Sequence, residues 1–174
     1  MTESAIRAGR RADIAAITRI YAEAVEHGTA TFEIAPPAES EMARRQRALL
    51  ADGYPYLVAE VGGVVAGYAY AGPYRARPAY HWCVEDSIYL APQFRHRGLG
   101  TALLMRLVKD AAACGFRQMI AVIGDSAQAP SIAMHARVGF AHIGTLRSVG
   151  FKHGRWLDTV LMQRPLGSGD QTPP

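Results

Sequence analysis

Arg95-His96-Arg97-Gly98-Leu99-Gly100 is the stretch on which the reading of this chain turns. It follows Ser87-Ile88-Tyr89-Leu90, a β-branched and aromatic run with strand character. It precedes Thr101 to Cys114, where Leu103, Leu104, Leu107, Val108 and Ala111 recur at helical spacing. The loop therefore opens a helix. A helix N-terminus offers backbone N–H groups without intrahelical partners and the positive end of the helix dipole, and glycines let a bulky anion approach that backbone with no Cβ in the way. Residues Arg95 to Thr101 thus read as a pyrophosphate cradle. Gly100 is followed by Thr101 rather than by Lys and Ser or Thr, which argues against a Walker loop, and the spacing is not the G-x-G-x-x-G of dinucleotide-binding folds.

Outward from the loop, the pattern of elements fills the chain. Ala5 to Ala8 reads as a first strand, and Asp13 introduces a helix whose Ile14, Ile17, Ile20, Tyr21 and Val25 share one face up to about His27. Glu39 to Leu50 reads as a second helix ended by Asp52-Gly53. Tyr54 to Val61 and Val64 to Tyr70 flank Gly62-Gly63, the signal of a two-residue type I′ hairpin. Tyr80 to Leu90 reads as a long central strand, Gln118 to Ile123 as a buried strand, and Ala129 to Val138 as a helix closed by Gly139. Ala141 to Val149 and Trp156 to Gln163 complete the strands. The expected order is β-α-α-β-β-β-α-β-α-β-β, a single domain over residues 1–165, with 166–174 as a flexible tail.

Composition narrows the class. The chain has 174 residues, 49% of them hydrophobic, which suits one core of ordinary size. The polar opening Met1-Thr2-Glu3-Ser4-Ala5 has no apolar run behind it, and no stretch of about 18 apolar residues occurs, so a cytoplasmic protein without membrane contact is expected. Cys83 and Cys114 are too few for a disulfide framework and read as reduced core thiols. The net charge of +4 is scattered, with Arg44, Arg45 and Arg47 reading as a solvated helix face, which argues against nucleic acid as a partner. The six histidines show no paired ligand spacing, so no metal is expected.

The loop resembles the R/Q-x-x-G-x-G/A signature by which the GNAT superfamily of N-acetyltransferases holds the pyrophosphate of acetyl-coenzyme A. The element order is similar to the GNAT fold, an α/β architecture with a mixed, mostly antiparallel sheet flanked by helices. Further segments resemble its phosphinothricin and methionine sulfoximine acetyltransferase branch: Ala30-Thr31-Phe32-Glu33, Tyr74 to Tyr80, Val84 to Tyr89, Ala121-Val122-Ile123-Gly124, and Gly150 to Asp158. The resemblance implies acetyl-coenzyme A as donor and direct transfer to the α-amine of a small amino acid analogue in a ternary complex. It also implies that Ile88, Tyr89 and Leu90 present backbone to the pantetheine arm and that the Leu90 N–H serves the thioester oxygen. Gln128 stands where the family commonly has Asn, and His135 where most members carry a Tyr that protonates the leaving thiolate. Homodimers are a further implication, with the hairpin at Lys152, Arg155 and Trp156 near the interface.

Glu85 is the candidate general base, matching the family's catalytic glutamate. An ordinary carboxyl at ~4.3 is too acidic for the task, and burial beside Tyr80, Trp82 and Tyr89 would raise it. Asp86 should face the opposite side of the strand, leaving only one of the pair on the site unless a bulge intervenes. Phe32, Glu33, Tyr74 and Ser87 are candidates for the substrate wall, with Arg75 and Arg77 to pair with an acidic substrate group. Solvated arginines and packed aromatics remain the alternative readings of these side chains. Another acceptor (polyamine, aminoglycoside or protein N-terminus) and a non-catalytic acetyl-coenzyme A sensor stay open as rival functions.

Overall fold

The computed structural model describes residues 4–174; Met1, Thr2 and Glu3, the start of the polar opening, lie outside the described residues. Among the described residues seven strands and four α-helices follow one another as β1 (Ser4–Ala8), α1 (Ile14–His27), α2 (Glu39–Ala51), β2 (Tyr56–Val61), β3 (Val64–Pro73), β4 (Cys83–Leu90), α3 (Leu99–Ala113), β5 (Gln118–Gly124), α4 (Ala129–Arg137), β6 (Ala141–Lys152) and β7 (Arg155–Pro165). This is the expected order. The strands form one sheet in the order β1-β2-β3-β4-β5-β7-β6, antiparallel throughout except for the β4–β5 pair.

Two apolar layers fix the helices to the sheet. The helical repeat of α3 buries Leu103, Leu104, Leu107 and Ala111 against Leu57, Ala69, Val84, Met119 and Met162. On the other layer Ile14, Ile17, Tyr21 and Val25 of α1 pack with Met42 of α2 and with Tyr56, Val58 and Tyr68 of the sheet. Gly62 and Gly63 both adopt positive φ, 56° and 80°, the type I′ geometry that joins β2 to β3.

Several boundaries differ from the sequence reading. The central strand begins at Cys83, because Pro78–Tyr80 coils into a 3-10 turn with proline at its start. Strand β6 runs on through Gly150 to Lys152, and a turn at His153 and Gly154, with φ of 51° and 73°, leads into β7. The register slips between Leu146 and Gly150, where Ser148 takes a positive φ of 54° and its N–H donates to Asp158 Oδ1 at 3.0 Å. The stretch after 165 opens with Leu166, a core residue, and Arg117 donates to Ser168, Gly169, Thr172 and Pro173. Cys83 is half-buried and Cys114 is exposed, so the expectation of two core thiols is corrected.

Candidate active site

The site begins where the sheet comes apart. Strands β4 and β5 pair in parallel from Cys83↔Gln118 to Asp86↔Ala121, and the ladder stops there although both strands continue. On the other edge of β4 the pairing with β3 persists to Gly67↔Leu90. The Ala91 N–H bonds Ala66 O at 2.9 Å, so alternation turns the N–H groups of Ile88 and Leu90 away from β3, toward the side from which β5 has departed. The divergence thus leaves backbone donors facing a wedge.

A cavity of about 340 Å³ fills the region, lined among others by Glu85, Asp86, Ser87, Ile88, Tyr89, Gln128 and His135. Beside it, the start of α3 supplies the expected cradle. Gly98 caps the helix at φ 80° with no side-chain cap, which leaves the N–H groups of Leu99, Gly100 and Thr101 free of intrahelical partners. Arg95, His96 and Arg97 are exposed around it, with the Arg97 guanidinium 5.5 Å from the Phe94 ring. A Cβ on Gly100 would lie 2.9 Å from Met134 Sδ, so glycine here permits the close approach of α3 to α4.

Glu85 and Asp86 occupy opposite faces of β4, as alternation requires, yet both reach the cavity, which corrects the expectation that only one would. No bulge is involved; the opening between β4 and β5 joins the two faces. Burial pushes the Glu85 carboxyl up to about 7, with the neighbouring Asp86 charge raising it further and Arg75 opposing. Tyr80 and Trp82 are exposed and off the cavity wall, so the burial comes from the wall itself, where Tyr70 and Tyr89 stand. A second cavity of about 370 Å³ meets the first at Tyr70, Glu85 and Ser87 and is lined on its far side by Arg44 and Arg45 of α2.

His135 is buried in α4. Its Nδ1 lies 2.8 Å from the Ser131 carbonyl, which only accepts, and its Nε2 lies 3.0 Å from Asp86 Oδ2. Burial lowers its pKa, but the Asp86 hydrogen bond and charge and the Ser131 carbonyl outweigh that, leaving it raised. Both ring nitrogens are therefore engaged within the protein.

The loop between α1 and α2 forms the outer wall. Phe32 lines the first cavity, while Glu33 lies off it, bound to Arg45 at 2.6 Å. Lys152 is buried and donates to Thr31 O at 2.9 Å. Buried Asp125 accepts from Thr29 and Arg155, and Gln128 Nε2 donates to Thr29 Oγ1 at 3.0 Å. Gln128 lines the cavity while its amide nitrogen is committed to this clamp. Tyr74, Arg75 and Arg77 line neither cavity; Arg75 stacks on Tyr74 at 5.1 Å in the loop leading to β4. Sequence reasoning missed Arg45, taken as part of a solvated face, and the Thr29–Asp125–Arg155 clamp.

The parted parallel strand pair, the glycine-capped helix start and the desolvated glutamate all fall within one stretch of the chain that matches a known family. Residues 15–140 match the acetyltransferase (GNAT) family, and the chain belongs to it. It is 50% identical over 169 residues to a phosphinothricin N-acetyltransferase from Alcaligenes faecalis, covering 97% of this chain and 86% of that one. An L-methionine sulfoximine/L-methionine sulfone acetyltransferase from Salmonella typhimurium is 42% identical, with 92% and 94% covered. The crystal structure of a GNAT superfamily phosphinothricin acetyltransferase from Sinorhizobium meliloti in complex with AcCoA superposes with a TM-score of 0.96 at 52% identity, covering 100% of this chain and 94% of that one.

Proposed function

We propose that this chain transfers an acetyl group from acetyl-coenzyme A to the α-amine of a small amino acid analogue of the phosphinothricin, methionine sulfoximine or methionine sulfone type, by direct attack in a ternary complex. The single observation that carries the reading is the desolvated Glu85 at the point where β4 and β5 part. Acetyl-coenzyme A supplies the activated thioester. Its pyrophosphate fits the free N–H groups of Leu99, Gly100 and Thr101 with Arg95, His96 and Arg97 around them, and its arm fits the exposed edge of Ile88, Tyr89 and Leu90. The Leu90 N–H is the donor for the thioester oxygen.

Glu85 takes the proton from the substrate ammonium, directly or through one water, at a pKa suited to neutral pH. Phe32, Ser87 and Asp86 shape the wall around the amine. Arg75, whose charge Glu85 feels, and Arg77 on the same loop lie off both cavities and favour the analogue's acidic end through their field. Glu33 and Tyr74 position their arginine partners, Arg45 and Arg75.

The reading extends to a cytoplasmic homodimer. Its support is the edge strand β6 and the hairpin beyond it, where Ile143, Leu146, Val149, Phe151 and Trp156 form an exposed apolar band. Among the described residues no helix is long and apolar enough to cross a membrane.

The test is thiol release from acetyl-coenzyme A with methionine sulfoximine, methionine sulfone, phosphinothricin, ordinary amino acids and polyamines, comparing the wild type with Glu85→Gln. Release confined to the oxyacid analogues and lost in the variant supports the assignment. Tight coenzyme binding with no turnover on any amine overturns it in favour of a sensor.

A further inference from the structure

Asp86 is 7% exposed and His135 3%, and the two form an isolated pair in the wall of the cavity. His135 Nδ1 must carry a proton to satisfy the Ser131 carbonyl. With Asp86 ionised, Nε2 carries a second, and the pair is imidazolium and carboxylate. Only one Asp86 oxygen is used. Oδ1 is buried, has no hydrogen-bond partner among the described residues, and belongs to the residue next to Glu85 in the chain. A carboxylate left half-satisfied in a desolvated wall keeps much of its field, and among the described residues the histidine behind it is the one cation hydrogen-bonded to it. Both His135 nitrogens are taken within the protein, Nδ1 by the Ser131 carbonyl and Nε2 by Asp86.

We propose that Asp86 and His135 are positioning residues that act as one charge pair, setting the ionisation of Glu85 through the balance of the Asp86 carboxylate against the His135 imidazolium. This rests on the role given to Glu85 above. Asp86 raises the Glu85 pKa and His135 restrains the effect. The other groups facing Glu85 are Arg75 from the β3–β4 loop, Tyr70 from β3, Arg45 from α2 across the second cavity, and Cys83 on its own strand.

The pair gives two shifts of opposite sign. Asp86→Asn removes the anion and moves the Glu85 titration to lower pH, whereas His135→Gln leaves the anion uncompensated and moves it to higher pH. Each shift is about 0.5–1 pH unit for charges separated by one or two side chains at an effective dielectric of ~20–40. The readout is the carboxyl ¹³C chemical shift of Glu85 in glutamate-labelled protein, assigned with Glu85→Gln and followed across pH without any amine substrate. A protein that turns over no amine therefore still decides the question. The acid limb of kcat/KM should follow the same two shifts wherever an acceptor is turned over. Equal titrations in all three proteins, or shifts of the same sign, overturn the proposal. So does a His135→Gln enzyme that loses kcat about 100-fold with an unmoved acid limb, the behaviour of a proton donor to the thiolate. If Asp86→Asn does not fold, His135→Gln decides alone: an upward shift supports the pair, and no shift or a downward one overturns it.

Discussion

Replacing Gly150 by alanine should unseat Phe32 from the wall of the active-site cavity. An added Cβ would lie 2.4, 2.7 and 2.9 Å from three atoms of the Phe32 ring, against an optimum of about 3.5–4.0 Å for carbon pairs, so the ring must retreat by ~1 Å. Toward β5 there is little room, because the opposite ring edge already packs over Gly124, with Phe32 Cε1 3.0 Å from where a Cβ would stand. The ring moves outward or into the cavity. Phe32 is partly exposed, which places the overpacking cost at the low end of the usual range, about 1–2 kcal/mol. At ~2.1 cal/mol/K per residue, a chain of 174 residues loses ~3 °C of Tm per kcal/mol, hence a fall of about 3–5 °C. Calorimetry reads that fall, and initial rates should show the amine KM raised several-fold with acetyl-coenzyme A affinity unchanged. In a Phe32→Ala background the same substitution has no ring to displace, so the two effects should couple by about 1 kcal/mol or more. The reasoning is refuted if Gly150→Ala matches the wild type in Tm and KM, or if its cost is undiminished without the ring.

For the wild-type enzyme, kcat/KM should rise with pH to a plateau with a midpoint near 7, since protonated Glu85 cannot accept the ammonium proton; a midpoint near 4.5 would remove Glu85 as the base. Glu85→Gln should lower kcat by about 10²–10⁴ at pH 7 while leaving coenzyme binding by calorimetry intact. Leu103→Ala, at a fully buried position of α3, should cost about 2–5 kcal/mol in urea unfolding with no change in m. On the homodimer proposed above, Trp156→Glu, placing a charge in the exposed apolar band, should yield a sedimenting monomer where the wild type sediments as a dimer; a wild-type monomer would refute the proposed dimer.

Local physics written into short stretches was readable from sequence. The 3.6-residue repeat from Leu103 to Ala111 announced α3, and Gly62-Gly63 announced a turn whose two positive φ angles the structure contains. Alternation correctly put Glu85 and Asp86 on opposite faces of β4. It carried no information on where β5 stops pairing, and that divergence is what lets both carboxylates reach one cavity. Arg45 looked like any arginine on a polar helix, because its partner Glu33 lies in a separate loop that folding brings to it. The Thr29–Asp125 bond joins residues 96 apart in the chain, with neither side chain in a recognisable motif. The sequence reading ends β6 at Val149, whereas Gly150 makes room for Phe32 and the strand continues through it to Lys152.

The parting of β4 from β5 also makes the protein's completeness depend on its reactant. The amides of Ile88 and Leu90 form the rim of an unfinished ladder, and on the function proposed above a coenzyme arm laid along that rim would take the place of a missing strand. Mass action then ties the durability of the fold to the metabolic state around it, with a ligand at 100 times its Kd adding about 2.7 kcal/mol. A cell rich in the acetyl donor would hold a sturdier, slower-degraded population of this enzyme than a starved one, with slowed hydrogen exchange at those two amides as its signature.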